Sequence, residues 1–594
     1  MPLFRRYSVR YVLGVVALVG AVVLRISVPY ILGRTVDVLR VAAANPTASG
    51  VDANELTRLA LYGGLAIAAV AVLGGALRTM SRLFVLGNSR RAVCDLRNDV
   101  MEHLLKLSPS YFGRNATGKL MSRCVNDVQF VQSLLGPVFM YLAETGLLYL
   151  VSLAFMLQIS IPLTLLAIVP FPFFLWRARI IATRIQVDSR AAQEALAEVS
   201  GKVEESLSGS MVIRSLALED FDLERFEKRC STYRDLNIKV SRERAKLGLG
   251  MNILAAMSTL VVLVVGGPMA VKGSISLGDF VAMVFYLNML AAPTGVLGFV
   301  ISSLQRGTAA LARVGQMLDE KPTLVNPPSP AASTGLLAPS LTVAHLTIVL
   351  ENEKGEPRKV LDNVSFEVPG GSVLGVVGPT GSGKSVLLSV LARQLEVERS
   401  QVAYAGVDVH DRGLADLRGD IGYVPQEAFL FSASLADNIA LGRPHASRAK
   451  IADAVAVSHL AQDLDQLPEG YETIVGERGL NLSGGQRQRA ALARAILIEP
   501  QVLLLDDPFS AVDASTTDEI LTALNSFMAQ RTTVLVAHRV ATVQHADHII
   551  VLEEGRIVER GNHIELLAAD GLYASLHRRQ QQRASLREEL GEEG

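Results

Sequence analysis

A glycine-rich stretch beyond the middle of the chain carries residue types that bind phosphate. The segment 378-GPTGSGKS-385 follows the apolar run 373–377 and precedes the apolar run 386–395. This order predicts a strand, a tight loop and a helix, whose backbone N–H groups and dipole point at one anion. Lys384 adds positive charge for the β and γ phosphates, and the Ser385 hydroxyl is a ligand for Mg²⁺. The predicted nucleotide-binding residues here are Gly378, Thr380, Gly381, Ser382, Gly383, Lys384, Ser385 and Val386.

Two adjacent acids follow a second apolar run. The segment 502-VLLL-505 predicts a buried strand, and Asp506 and Asp507 come directly after it. In phosphoryl-transfer sites an acid at the end of such a strand holds Mg²⁺. We therefore assign Asp506 to the metal site together with Ser385, and we expect ATP and Mg²⁺ to bind the chain. Asp507 is a candidate catalytic acid.

A third segment, 482-LSGGQRQRAALARAI-496, opens a helix at Ser483 and Gly484. Its exposed N–H groups and its dipole predict a second anion site. One fold rarely needs two phosphate cradles for one nucleotide, so we interpret this one as serving a nucleotide held by another copy of the domain. A plain serine N-cap is the alternative for an isolated S-G-G. The residues predicted to contact that nucleotide are Ser483, Gly484, Gly485 and Gln486.

The three motifs lie in the second half of the chain, and the first half has a different composition. Of 594 residues, 50% are apolar and 19% are charged, against about 25% charged in soluble proteins. The apolar residues concentrate in the first 310 or so, where runs of about 20 residues predict membrane-spanning helices. A net charge of −1 argues against nucleic acid as a partner. The six predicted spans are 11–33, 59–77, 136–157, 159–176, 250–272 and 281–304.

The loops between the spans predict the orientation of the chain. The two long segments, 78–123 and 177–247, are rich in arginine and lysine, and the short link 157–160 has no charge. By the positive-inside rule, both long segments, both termini and the soluble part face the cytosol of a multi-pass cytoplasmic membrane protein. Arg25 lies inside the first span. It marks a functional site, or it snorkels or pairs within the bundle.

The fold class predicted is an all-α transmembrane domain of six helices followed by an α/β P-loop ATPase. Residues 1–320 form the first domain, with two long cytoplasmic extensions of its helices. The Pro- and Ser-rich segment 321–340 reads as a linker. The ATPase domain spans 341–580, and 581–594 is a charged tail.

In this order, GPTGSGKS, LSGGQ and VLLLDD resemble the nucleotide-binding domain of ATP-binding cassette (ABC) transporters. With six spans ahead of it, essentially the whole chain resembles an ABC exporter half-transporter of the multidrug and lipid type. The resemblance implies that Gln426 contacts Mg²⁺ and couples to the membrane helices, and that the segment 510–513 is the D-loop. It also implies that His538 contacts the γ phosphate.

Two positions depart from the family pattern. Leu350 falls where the family has a tyrosine that stacks on adenine, so we expect weaker base stacking. Asp507 falls where the family has a catalytic glutamate. The shorter side chain withdraws the carboxylate by about 1.5 Å from water that a general base must reach at about 2.6–3.2 Å. We expect this chain's site to hold ATP and to hydrolyse it slowly.

In the family such a substitution typically marks one subunit of a heterodimer, so a second, different half-transporter is the expected partner. A homodimer with slow hydrolysis remains open. The leading hypothesis is ATP-driven export of amphipathic compounds, such as drugs or lipids, across the cytoplasmic membrane, with the lipid bilayer as a partner of the chain. The alternatives are a regulatory or receptor subunit that binds ATP without pumping, and a slow homodimeric lipid flippase.

Overall fold

The computed structural model describes residues 2–44, 53–331, 335–351, 356–476, 479, 481–512 and 514–589. Two compact units make up the chain: Met1–Leu105 with Thr117–Glu320, and Lys106–Ala116 with Lys321–Gly594. The domain bounds predicted from the sequence, 1–320 and 341–580, include Lys106–Ala116 in the first domain. This segment holds a six-residue helix, Pro109–Arg114, with Tyr111 buried. Parts of the predicted linker (332–334) and tail (590–594) lie outside the described residues.

The elements described in the first unit are helices. Three π-helical turns, Arg123–Asp127, Leu134–Val138 and Val262–Gly266, interrupt them. The long helices continue well past the apolar runs, as the sequence predicts: one has 54 residues. The helices are Pro2–Ala44, Ala53–Lys106, Thr117–Ser122, Val128–Ser133, Phe139–Ile159, Ile161–Ile168, Pro170–Ser208, Ser210–Ser215, Glu219–Val261, Gly267–Val271 and Leu277–Asp319.

Five of the described helical stretches are long and apolar enough to cross a membrane. They are Arg6–Ala42, Asn54–Lys106, Thr117–Ile159, Ile161–Ser208 and Glu219–Val271, and each overlaps one of the first five predicted spans. The predicted sixth span, 281–304, falls in the helix Leu277–Asp319, where the described apolar stretch is the shorter Leu277–Leu290. The sixth span therefore stays a prediction.

The first and last long helices of this unit cross at two glycines. A Cβ added to Gly278 would lie 1.9 Å from the carbonyl oxygen of Gly33, so the two backbones are in contact. Small residues at a crossing let helices approach this closely. The N–H of Gly278 donates to Asp37 Oδ1 at 2.7 Å, and Ser276 with Asp279 forms a capping box at the same helix start. The crossing is therefore fixed by sterics and by helix capping together.

We predict that Gly278→Ala lowers the thermal unfolding midpoint of the purified protein in detergent, because the added methyl group forces the two helices apart. The expected cost is about 2 kcal/mol or more, in the range of overpacked cores. Gly298→Ala, on the same helix, is the control, since a Cβ there meets nothing within 4 Å. An unchanged midpoint for Gly278→Ala would contradict the close crossing.

The second unit contains two sheets with helices around them. One is a four-stranded antiparallel sheet of order β2-β1-β4-β5, and the other has six strands in the order β10-β9-β3-β8-β7-β6. The strands are β1 Leu341–Glu351, β2 Pro357–Val368, β3 Val373–Val377, β4 Val402–Tyr404, β5 Val407–Asp408, β6 Ile421–Val424, β7 Val502–Asp506, β8 Thr532–Val536, β9 His548–Glu553 and β10 Arg556–Gly561. The α-helices are Pro109–Arg114, Lys384–Leu391, Leu414–Gly419, Leu435–Ala440, Arg448–Val457, Ala461–Leu464, Gly484–Leu497, Ala514–Met528, Val540–Val543, His563–Ala568 and Leu572–Glu589.

The neighbouring strands β3, β8, β7 and β6 run parallel and end at one edge. In register, Val376 pairs with Val536, Val536 with Asp506, and Leu505 with Val424. Strands β7 and β8 are buried along their whole length, which is typical of a parallel sheet covered on both faces. The loops that follow the four strands therefore meet at the edge where ligands bind in open α/β sheets.

Candidate functional site

The loop between β3 and the helix Lys384–Leu391 is shaped by glycines. Gly383, the N-cap of that helix, has φ of 99°, and a Cβ there would lie 2.8 Å from the Val360 carbonyl oxygen. Lys384 is buried, and its Nζ donates to the carbonyl oxygens of Gly378 at 2.9 Å and of Pro379 at 2.8 Å. The N–H groups of the first helical turn have no partner within the helix, and a glycine-rich loop at such a helix start is typical of phosphate-binding sites.

Asp506 is buried at the end of β7, with 3% of its surface exposed. Burial raises the pKa of Asp506 above the usual aspartate value. Asp507 raises it further, whereas a hydrogen bond from the Ser385 hydroxyl, His538 and Lys384 lower it. The predicted metal ligands Ser385 and Asp506 are therefore in contact. Their hydroxyl and carboxylate oxygens are the hard ligands that suit Mg²⁺, so these residues fit that ion.

The charges of Lys384 and of the two acids are coupled. Burial lowers the pKa of the Lys384 ammonium, and the carboxylates of Asp506 and Asp507 counteract that effect. A buried cation thus faces two buried acids with little solvent to screen them.

Asp507 lies in the left-handed region of backbone conformation, with φ of 46°. Aspartate adopts this region more readily than most residues. The Asp507 N–H donates to the Val536 carbonyl at 2.9 Å, and Asp507 Oδ1 accepts from the His538 N–H at 3.4 Å. The side chain is 8% exposed. The acid is thus buried between β7 and the loop after β8, next to the backbone of His538.

The remaining predicted site residues lie at different positions in the second unit and differ in their exposure to solvent. Gln426 is exposed two residues beyond β6, and His538 is exposed two residues beyond β8, so both follow strands of the common edge. Leu350 is half-buried on β1, where it pairs with Arg358 and packs against the core. Thr380, Gly381 and Ser385 are exposed, Gly378, Ser382 and Gly383 are buried, and Val386 is half-buried.

The segment 482–496, which we call the signature segment, opens its helix at the N-cap Ser483, as the sequence predicts. Ser483 Oγ accepts from the N–H of Gln486 at 3.1 Å, and Gln486 Oε1 accepts from the N–H of Ser483 at 2.9 Å. Arg489, on this helix, forms a bidentate salt bridge with Asp463: its Nη2 donates to Oδ1 at 2.8 Å and its Nε donates to Oδ2 at 2.9 Å. Ser483 is exposed, Gly484 half-buried and Gly485 buried. The helix start is therefore capped by reciprocal hydrogen bonds, and Ser483 faces solvent.

Two glutamines that sequence reasoning missed support this machinery. Gln488 is buried. Its amide donates to Ser510 Oγ at 2.7 Å and accepts from the Ala511 N–H at 3.0 Å, which ties the signature helix to the D-loop. Gln580, on the helix Leu572–Glu589, donates to the His538 carbonyl at 2.7 Å and accepts from the Val540 N–H at 2.8 Å. No local spacing signals either contact. Asp513, predicted to end the D-loop, lies outside the described residues.

Comparison with known proteins agrees with this architecture. The family described as ABC transporter transmembrane region matches residues 11–294, and the family described as ABC transporter matches residues 361–510. The probable multidrug resistance ABC transporter ATP-binding/permease protein YheI of Bacillus subtilis (strain 168) is 33% identical over 97% of this chain and 96% of its own length. The multidrug resistance-like ATP-binding protein MdlA of Escherichia coli (strain K12) is 32% identical over 98% of this chain and 96% of its own length.

A solved structure shares the fold across both units. The structure of a bacterial Atm1-family ABC exporter with ATP bound superposes with a TM-score of 0.75 at 27% identity, covering 97% of this chain and 98% of that one. The fold and the site define a membrane-embedded ATPase of the exporter type. The chain belongs to the ABC transporter family, as a half-transporter that joins one transmembrane region to one ATP-binding region. Half-transporters of this kind act as dimers in a membrane.

We predict that Lys384→Ala weakens nucleotide binding at this chain's site by at least tenfold, because a charge-assisted contact to phosphate is lost. Binding of a fluorescent ATP analogue to the purified complex measures the effect. Lys450→Ala is the matched control, since Lys450 pairs with Glu499 on the surface of the same unit. Unchanged affinity in Lys384→Ala would refute the assignment of the phosphate loop.

Proposed function

We propose that this chain is one half of a heterodimeric, ATP-driven exporter of amphipathic compounds in the cytoplasmic membrane, and that its own nucleotide site binds ATP but hydrolyses it slowly. The observation that carries the proposal is Asp507. It stands at the end of β7 beside the Mg²⁺ acid Asp506, where a longer glutamate is expected. The termini and the ATP-binding unit face the cytosol in this proposal.

The surroundings of Asp507 support slow hydrolysis. A general base contributes typically 10²–10⁴-fold when it reaches the attacking water. The Asp507 carboxylate is short, and its Oδ1 lies next to the backbone N–H of His538. The groups proposed to bind nucleotide are other side chains, and the charge of Asp507 acts on them only by raising the pKa of Lys384 and of Asp506. Lys384 and the cradle would hold the phosphates, and Ser385 and Asp506, with Gln426, would hold Mg²⁺, which would neutralise phosphate charge. His538 would contact the γ phosphate.

The signature segment supports a partner of different sequence. Ser483 and the glycines after it keep a complete, capped and solvent-facing helix start, which we propose to complete the site of the second half-transporter. A chain with an intact signature and a short catalytic acid suits a dimer in which the partner supplies the glutamate. Through Gln488 the same helix contacts the D-loop of this chain's own site, so the two sites of the dimer would be linked.

The transport cycle follows from these assignments. Binding of two nucleotides would close the two ATP-binding units on each other, and Gln426 would couple that closure to the membrane helices. Hydrolysis at the partner-completed site would reset them, as in a switch between two conformations biased by nucleotide. The names of two relatives, both multidrug resistance or multidrug resistance-like proteins, favour small amphipathic substrates.

We expect Asp507→Glu to raise ATP turnover of the purified complex by about tenfold or more, because the longer side chain brings the carboxylate to the attacking water. Phosphate release measures the rate. Asp507→Asn is the control, since it has the length of aspartate without the charge, and its rate should stay at or below that of the wild type. A glutamate variant that folds and shows no gain would mean that the reach of Asp507 does not limit the rate.

Transport by reconstituted vesicles tests the function itself. The complex purified with its partner should move a fluorescent amphiphile in an ATP-dependent manner, and this chain alone should do so slowly or not at all. Equal transport by the single chain would instead favour a slow homodimeric flippase. ATP binding without transport, with or without the partner, would favour a regulatory or receptor subunit.

A further inference from the structure

Three charged side chains meet on three membrane-spanning helices of the first unit. Arg25 lies on Pro2–Ala44, Arg78 on Ala53–Lys106 and Glu144 on Phe139–Ile159. Arg78 Nη2 is 2.7 Å from Glu144 Oε1, and Arg25 Nη1 is 3.5 Å from the same oxygen. One carboxylate oxygen therefore faces both guanidinium groups. We call these three residues the membrane charge cluster.

The cluster lies within the apolar part of the unit. Arg25 lies inside the first predicted span, and Glu144 follows the predicted start of its span, at 136, by two helical turns, about 12 Å at 1.5 Å per residue. Arg78 directly follows the predicted second span, 59–77, and its contact with the Glu144 oxygen that Arg25 also faces brings it to the level of Arg25. A hydrocarbon core is about 30 Å thick. A Cβ on Gly20 would contact Leu77, and one on Gly74 would contact Leu24, so the two arginine-bearing helices are packed together at this level. Charged groups at such depth are costly and mark functional sites by default.

The charges of the cluster do not balance. Two arginines against one glutamate leave a formal charge of +1. Arg78 Nε is buried and has no hydrogen-bond partner in the described structure. Arg25 contributes only the long contact of 3.5 Å. An unpaired buried donor on a charged group is costly. The cluster therefore lacks one negative charge to balance its second arginine.

The two arginines of the cluster are more exposed than its glutamate. The side chains of Arg25 and Arg78 are 41% and 40% exposed, whereas that of Glu144 is 10% exposed. Glu144 thus lies behind the two arginines and holds both of them against their mutual repulsion. Their remaining N–H donors are available to a group that approaches from outside the unit, and guanidinium forks match carboxylate and phosphate oxygens in pairs.

We infer that Arg25 and Arg78, held together by Glu144, bind the anionic head of an amphipathic substrate: a phosphate, sulfonate or carboxylate that carries an apolar chain. An apolar chain lets such a head reach this depth, which a free ion reaches only through water. The inference rests on the proposed export of amphipathic compounds and narrows its substrate class to anions.

The test is binding to the complete complex in nanodiscs of phosphatidylcholine, with protein-free nanodiscs subtracted. The probes share one chain and differ in the head: dodecyl phosphate, dodecylphosphocholine and dodecyltrimethylammonium, with inorganic phosphate as the probe that lacks a chain. Dodecyl phosphate should bind at least tenfold tighter than the trimethylammonium probe, and inorganic phosphate should not compete with it at equal concentration.

The variants change the charge in both directions. Arg25→Gln and Arg78→Gln should each weaken dodecyl phosphate binding about tenfold, and Arg25→Lys should lose less because it keeps the charge. Glu144→Gln should also weaken binding, since it removes the carboxylate that holds the two arginines together. Arg82→Gln, at an exposed arginine one turn beyond Arg78 on the same helix, is the matched control and should bind as the wild type does. Nucleotide binding to each variant checks that the protein is folded.

The inference is overturned if all three dodecyl probes bind alike, if the control loses as much affinity as Arg78→Gln, or if inorganic phosphate displaces dodecyl phosphate at equal concentration. Its failure is distinct from that of the proposed function. Vesicle transport of uncharged or cationic amphiphiles without any preference for anions would overturn this inference alone. Arginine-dependent binding of dodecyl phosphate without ATP-driven transport would support the site and refute export.

Discussion

The chemistry of this chain depends on the register of four parallel strands. Val376 pairs with Val536, Val536 with Asp506, and Leu505 with Val424. Because of this register, the loops after β3, β8, β7 and β6 leave the sheet together. Those loops carry the phosphate cradle, the acids, His538 and Gln426. A shift of one residue in any ladder would turn its side chains to the opposite face. The buried apolar strands that fix the register therefore also build the nucleotide site.

The site gathers charge where burial opposes it. Burial lowers the pKa of Lys384 and raises that of Asp506, and each ion makes the charged form of the other more favourable. Titratable groups whose pKa values are shifted by burial and by a charged neighbour are typical of functional sites. The membrane charge cluster of the other unit also keeps charges in apolar surroundings, where Glu144 contacts two arginines. In both units the protein retains costly charges where we propose that a charged ligand binds.

The features predicted correctly from the sequence are local ones. The cap between Ser483 and Gln486 spans three residues, and the phosphate loop is one continuous segment, so their geometry follows from short-range rules. The contacts that were missed join distant parts of the chain: Gln488 with Ser510 across 22 positions, and Gln580 with His538 across 42. Nothing in a single sequence reports such pairings.

By itself, the sequence determined the class of fold, the phosphate cradle and the identity of the acids, because apolar periodicity and glycine-rich spacing act through the backbone nearby. Through its resemblance to the family it also predicted that Asp507 stands where a catalytic glutamate, one methylene longer, is usual. Only the tertiary structure decided what surrounds these residues. It put Asp507 in a left-handed conformation against the His538 amide, and it brought Arg25 and Arg78 to one carboxylate oxygen. Those relations depend on packing between segments far apart in the chain, where side-chain burial and charge set the geometry.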